Sequence, residues 1–234
     1  FLGISYIIIL LIFLFMIFSY VEVGKLDDFS YYKEVQLNLE TFISKNLYLN
    51  FLLFFLFSVV WISLLGFGSP ILLISGILFG KWLGTIISVF SISTGSLILY
   101  SLAQFFFKDL VKDLLEKKFE KYILLFQKNE FFYLLIYRLV GGFGLPFFLQ
   151  NLLPIVFSVK KNNYFLASFF GFIPGFFIFN SIGAGLNEFV KQSDSFSFFN
   201  LLFNKDIYLP IFLFVIVILI SAIVKKKIFK NTSQ

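Results

Sequence analysis

The phrase G-F-G-x-P is written twice in this chain, as Gly66-Phe67-Gly68-Ser69-Pro70 and as Gly142-Phe143-Gly144-Leu145-Pro146, with an offset of 76 residues. The same offset carries Gly95 onto Gly171. Each copy interrupts strongly apolar sequence. A helix break there is costly in a membrane, because backbone groups that lose their partners find no water. Interrupted hydrophobic segments at corresponding positions of two halves are the best sequence pointer to a transport site. The only arginine, Arg138, stands just before the second copy.

Composition puts these breaks in a membrane. The chain has 234 residues, is 59% hydrophobic and has a mean hydropathy of +0.95. Soluble domains run at about 45–50% apolar even with glycine counted. A soluble fold of this size has no interior large enough for the excess, so the excess reads as lipid-facing surface. The longest polar stretch, 22–46, is 25 residues, well short of a domain. With no Cys and no His, disulfides, thiol and imidazole catalysis and Cys/His zinc sites are excluded. No cofactor is expected. The abundance of Phe, Ile, Asn and Lys fits an AT-rich, bacterial genome. The net charge of +6 comes from lysines beside apolar spans, which reads as membrane topology and not as a nucleic-acid surface.

The chain then divides into spans and loops. A first span covers 1–20, which is too long for a signal-peptide core and has no small-residue cleavage site after it. The chain opens on Phe and not Met, which leaves a preceding segment open. A polar segment, 22–46, holds a short interfacial helix over 29–44. An apolar helix over 47–65 meets the first break. The helix that resumes over 70–80 rises only about 16 Å, half of a roughly 30 Å hydrocarbon core. A full span follows over 82–107. The segment 108–130 is a charged connecting helix whose opposite charges pair at helical spacing, expected to be solvated, with a partner-binding or membrane-surface role as the alternative. After it come two half-length helices on either side of the second break, 131–140 and 146–157. A long span covers 164–189 and a last span 207–224, with the basic tail 225–234 behind it.

The basic tail should be cytoplasmic. Because 131–157 is too short to cross twice, that segment enters from the cytoplasm and returns. The segment 47–80 then enters and returns from the other side. Twelve of the eighteen lysines fall inside and six outside. The tail alone anchored this orientation, so the other loops test it independently. The expected fold is an all-α polytopic membrane protein. Two opposed re-entrant helical hairpins form an inverted-topology repeat, 47–107 and 131–189, within a domain spanning 47–189 and flanked by further spans. The rival reading makes 47–80 one kinked span.

Each break starts a helix near mid-membrane. Ser69-Pro70 reads as a cap followed by Pro at the first helical position, and Pro146 repeats the Pro without the cap. The first N–H groups of such helices are unpaired, and the helix dipole places about half a positive charge there. Two such ends and Arg138 would make a cationic pocket. Its expected lining is Arg138, Gly142, Gly144, Pro146, Asn151, Ser69 and Pro70, with Gln150 and Asn151 either lining it or bonding the other hairpin. Gln104, Asn180 and Glu188 read as polar groups near the ends of spans. No nucleophile, base and orienter stand at a workable spacing, so no enzyme activity is expected.

Several phrases match a known family. Leu135-Ile136-Tyr137-Arg138-Leu139, Pro146-Phe147-x-x-x-Asn151 and Gly171-Phe172-Ile173-Pro174-Gly175, ending in Gly183-x-Gly185, resemble the VTT domain of the DedA superfamily, also called SNARE-associated Golgi proteins. Gly76-x-x-x-Gly80-x-x-x-Gly84 resembles the family's glycine ladder. The resemblance covers about 66–186. It implies two opposed re-entrant hairpins and translocation of a lipid or lipid phosphate, with proton coupling proposed for some members. Bacterial DedA proteins carry acidic residues in the first hairpin, and this chain has none. That departure places it nearer the Golgi-protein-like branch.

The leading expectation is a multi-pass transporter of the bacterial inner membrane with its C-terminus in the cytoplasm. Membrane lipids are its partners, and it moves a lipid headgroup through a midplane pocket. The alternative is a membrane scaffold acting through 108–130. Proton coupling and a homo-oligomer stay open.

Overall fold

The structure, a computed structural model, describes residues 28–229 apart from 65, 194 and 196. The first span at 1–20 and the end of the basic tail lie outside the described residues. All regular structure among the described residues is helical. The longer helices are α1 (Phe29–Lys45), α2 (Leu47–Ser63), α3 (Gly68–Phe106), α4 (Lys108–Lys128), α5 (Glu130–Leu139), α6 (Phe147–Leu152), α7 (Lys161–Gln192), α8 (Phe198–Leu202) and α9 (Lys205–Phe229). Short 3-10 turns occupy Gly142–Gly144 and Leu153–Ile155. Among the described residues, α3 and α7 are long and apolar enough to cross a membrane. The pair α1 and α2, bent by 106°, adds a third crossing if it counts as one broken span.

α3 is not a rod. Gly80 adopts φ 73° and ψ 178° in its middle, a conformation open to glycine and strained for other residues. Ser75 and Ser88 would lie about 20 Å apart along a straight helix, yet their hydroxyls are 2.7 Å apart. The chain therefore doubles back at Gly80. The part before it packs against α2, where Phe79 meets Phe51 and Phe54 at ring distances of 5.6 and 5.4 Å. The part after it, 81–106, still rises about 39 Å, enough to cross a bilayer.

The second half repeats this course. α5 leads to a break at Gly141, Gly142 and Gly144, all with positive φ. α6 and the turn after it return, and Ser158 (φ 54°) reverses the chain into α7. Glu130 closes the loop, accepting the Lys160 N–H at 2.9 Å and the Asn163 amide at 2.6 Å. The return is shorter than the spacing suggested, because Pro154 turns the end of α6 into a 3-10 segment.

Contacts recur at the sequence offset. A Cβ on Gly95 would meet the Val59 carbonyl and Ile62, and one on Gly171 would meet the Leu135 carbonyl and Arg138. Val59 and Leu135 are 76 apart, as are Ile62 and Arg138. The Ser75–Ser88 bond likewise maps onto the bond between Asn151 and Tyr164. The two long helices run antiparallel, with Trp82 beside Phe177 (4.9 Å), Phe90 beside Phe169 (4.8 Å) and Tyr100 stacked on Tyr164 (4.3 Å).

Lipid tails are as apolar as leucine, so close approach and buried hydrogen bonds hold such helices together. Gly76 and Gly183 let the first part of α3 touch α7 backbone to backbone. Asn180 is wholly buried at that crossing and not near a span end as its position suggested. Its amide donates to the Phe176 carbonyl at 2.8 Å, and its oxygen accepts from Ser75.

Candidate functional site

The two breaks meet. Gly68 at the start of α3 lies against the Phe147 ring at the start of α6, 3.7 Å from where its Cβ would be. Beside this contact is a cavity of about 620 Å³, bounded by the tips, by α7 and by α9. Its walls are mainly aromatic and aliphatic: Phe67, Leu72, Phe147, Phe172, Phe176 and, from α9, Phe214. Ser69, Gln150 and Arg138 supply its polar side chains. An apolar cavity of this size with few convergent polar groups is the usual form of a small-molecule site.

Arg138 sits in the last turn of α5 and is 3% exposed. Its side-chain hydrogen bonds go to α7 and not to the carbonyls that end its own helix. Gly171 makes room on α7 for its stem. Its Nε donates to Ser168 Oγ at 3.1 Å, and one terminal nitrogen donates to the Tyr164 hydroxyl at 2.8 Å. The rings of Phe172 and Tyr164 lie 4.8 and 5.2 Å from its guanidinium carbon, within cation–π range. Among the described residues no carboxylate pairs with it, and its other terminal nitrogen has no hydrogen-bond partner. Insertion scales put the cost of an arginine at the centre of a membrane helix at about 2.5–3.5 kcal/mol. Rings and hydroxyls offset part of that cost and leave the charge without an anion.

The Tyr164 hydroxyl donates onward to Asn151 Oδ1 at 3.2 Å. Asn151 is fully buried, and its amide nitrogen also lacks a partner. Two unpaired donors thus flank one tyrosine. The offset of 76 shows what this replaces: Ile62, Ile92, Ser88 and Ser75 stand in the first half where Arg138, Ser168, Tyr164 and Asn151 stand in the second. The bonded polar pair is present in both repeats, while the arginine and the serine that receives its Nε–H belong to the second only.

Of the residues expected in the pocket, Arg138, Ser69 and Gly144 line the cavity. Asn151 lies behind it, reached through Tyr164. Gly142 is buried beneath Gln150, while Pro70 and Pro146 are exposed outside the lining. Gln150 holds the second tip, donating to the Leu145 carbonyl at 2.7 Å and the Gly141 carbonyl at 3.3 Å. Trp61 does the same at the first tip, donating to the Phe67 carbonyl at 3.0 Å.

The helix starts also differ from expectation. α3 begins at Gly68 with Phe67 in the cap position, so Pro70 is its third residue and Ser69 makes no cap bond. Pro146 is the cap of α6, which runs only six residues and has too few aligned peptides to present much of a dipole. One helix N-terminus, uncapped by any side chain, therefore faces the cavity, and not two. Among the described residues no three acidic side chains gather into a metal site.

This arrangement of helices, tips and polar residues can be compared with known families. The VTT domain matches residues 62–185, just over half the chain. The chain belongs to the VTT-domain family. The match takes in both tips, Arg138, Tyr164, Asn151 and most of α7, while α9 lies beyond it. The chain's described regular structure is all helical, with helices long and apolar enough to span a membrane. No curated protein and no solved structure matches it.

Proposed function

We propose that this VTT-domain protein is a transporter that moves a lipid or lipid-phosphate headgroup across the membrane through the cavity between its two tips. One observation carries the reading: a buried arginine, without a carboxylate and with an unpaired terminal nitrogen, borders a largely apolar cavity. A phosphate or carboxylate oxygen would complete its bonding, and arginine's fork suits such groups. The free N–H groups at the start of α3 would add to the same attraction.

The two folded-back segments are read as re-entrant hairpins, and the halves as an inverted-topology repeat. The contacts repeated at an offset of 76 and the antiparallel packing of α3 on α7 support this. The lysine distribution supports a cytoplasmic C-terminus, and the composition supports a bacterial inner membrane. Missing acidic residues in the first half favour the Golgi-protein-like branch. The chain's lack of His and Cys favours transport over catalysis.

The test is reconstitution of purified protein into vesicles with fluorescent-headgroup lipid, followed by addition of a membrane-impermeant reductant. Transport exposes inner-leaflet lipid, so the bleached fraction should rise above the one-leaflet level. A fraction held at that level, with protein shown to be folded and inserted, rejects transport and leaves the scaffold reading.

A further inference from the structure

The cytoplasm-assigned helix α4, expected from its charge to be solvated, buries one face and exposes the rest. It packs across the base of the second hairpin, burying Val111, Phe119, Tyr122 and Phe126 among Leu134, Tyr137 and Phe157. Phe126 stacks on Phe157 at 4.0 Å. Its remaining surface carries acids in one row, flanked on both sides by lysines such as Lys112 and Lys117. Asp109, Asp113, Glu116 and Glu120, spaced four, three and four apart, form one exposed row along the helix. Leu110, Leu114 and Lys117, spaced four and three apart, form the neighbouring row, with Lys118 beside it.

The leucines of this second row face outward: Leu110 is 55% exposed and Leu114 is 69% exposed. Phe105, Phe106 and Phe107, where α3 gives way to α4, are exposed as well. A water-facing helix has no physical reason to expose two leucines on one row a few residues after a run of exposed phenylalanines. Helices that lie in a bilayer interface show this pattern, with an apolar stripe dipping below the headgroups and lysines reaching up to phosphates.

We infer that α4 is an interfacial anchor that binds the anionic headgroup surface of the membrane from which α3 and α5 emerge. Leu110 and Leu114 insert among acyl chains, Lys117 and Lys118 rest on lipid phosphates, and the acidic row faces water. The anchor would fix the base of the second hairpin, and with it the height of Arg138, relative to the bilayer. It is independent of any transport activity.

The experiment uses the whole protein in vesicles. The chain has no cysteine, so single Leu114→Cys and Asp113→Cys variants can each carry one environment-sensitive fluorophore. These two positions are exposed neighbours on different rows, and neither substitution removes a buried contact. In vesicles containing phosphatidylglycerol, the label at 114 should emit further to the blue. It should be quenched several-fold more by brominated acyl chains than the label at 113, which aqueous iodide should quench instead. Lys117→Glu with Lys118→Glu should shrink that contrast. Equal iodide quenching at both positions overturns the inference. Shielding of 114 from iodide without quenching by lipid bromine also overturns it, because protein would then cover the row. A contrast unchanged by the two charge reversals contradicts the electrostatic half.

Discussion

At the scale of the residue, the two G-F-G-x-P phrases do different work. Gly142 holds φ 62° and lies under Gln150, so a side chain there meets both strain and a collision. Gly68 has no positive φ and only an ordinary contact with Phe147. Gly142→Ala should therefore lose at least about 1 kcal/mol of stability, while Gly68→Ala stays within about 0.5 kcal/mol. Thermal unfolding of the two variants in the same detergent checks this. Equal losses would mean that the tips are conformationally alike after all. Tyr164 offers a second test, since its hydroxyl joins Arg138 to Asn151. Tyr164→Phe removes an acceptor from a buried cation and should lower stability by about 1.5–3 kcal/mol. No change would show that other groups satisfy the guanidinium.

At the scale of the element, α1 is tied to the far end of α7 by Lys191, whose ammonium bonds Glu40 at 3.0 Å. That hydrogen bond, then one from Gln36, holds the Glu40 carboxyl below its ordinary value. A carboxylate with a lowered folded pKa contributes its bond in full above its ordinary range. The contribution is lost as pH falls through the lowered value. Hydrogen exchange of α1 amides should thus speed up in mild acid beyond the intrinsic trend, and Lys191→Gln should remove that response. An identical response in the variant would place the titration elsewhere.

How far the elements could be read from sequence varies with what fixes them. The breaks were legible because glycine and proline act locally. So was the fold-back near Gly80, since 70–80 is too short to cross. The polar cluster was legible only in part. Arg138 stood out as the sole arginine, but Tyr164 and Ser168 looked like ordinary members of a span. Extending the offset of 76 beyond glycines would have found them, because it sets Ser88 against Tyr164 and Ile92 against Ser168. The cavity wall supplied by Phe214 on α9 left no such trace, because α9 lies outside the repeat and its stretch 207–224 carries no charged residue to mark one face.

At the scale of the whole molecule, opposed halves predict opposed loops. With no native cysteine, Glu116→Cys should react with an impermeant thiol reagent only from the cytoplasmic face. Lys81→Cys, next to the reversal at Gly80, should react only from the other face. Labelling of both from one side would mean that the halves are not inverted across the membrane. The central claim, that the charge of Arg138 in the shared cavity moves headgroups, is tested most directly by transport per folded molecule. That quantity should be compared in vesicles for the wild-type protein and for Arg138→Lys, Arg138→Gln and Arg138→Ala. The account predicts a partial loss for Lys, which keeps the charge without the fork, and near-complete loss for Gln and Ala. Equal specific activity in all four would contradict it and move the headgroup path away from Arg138.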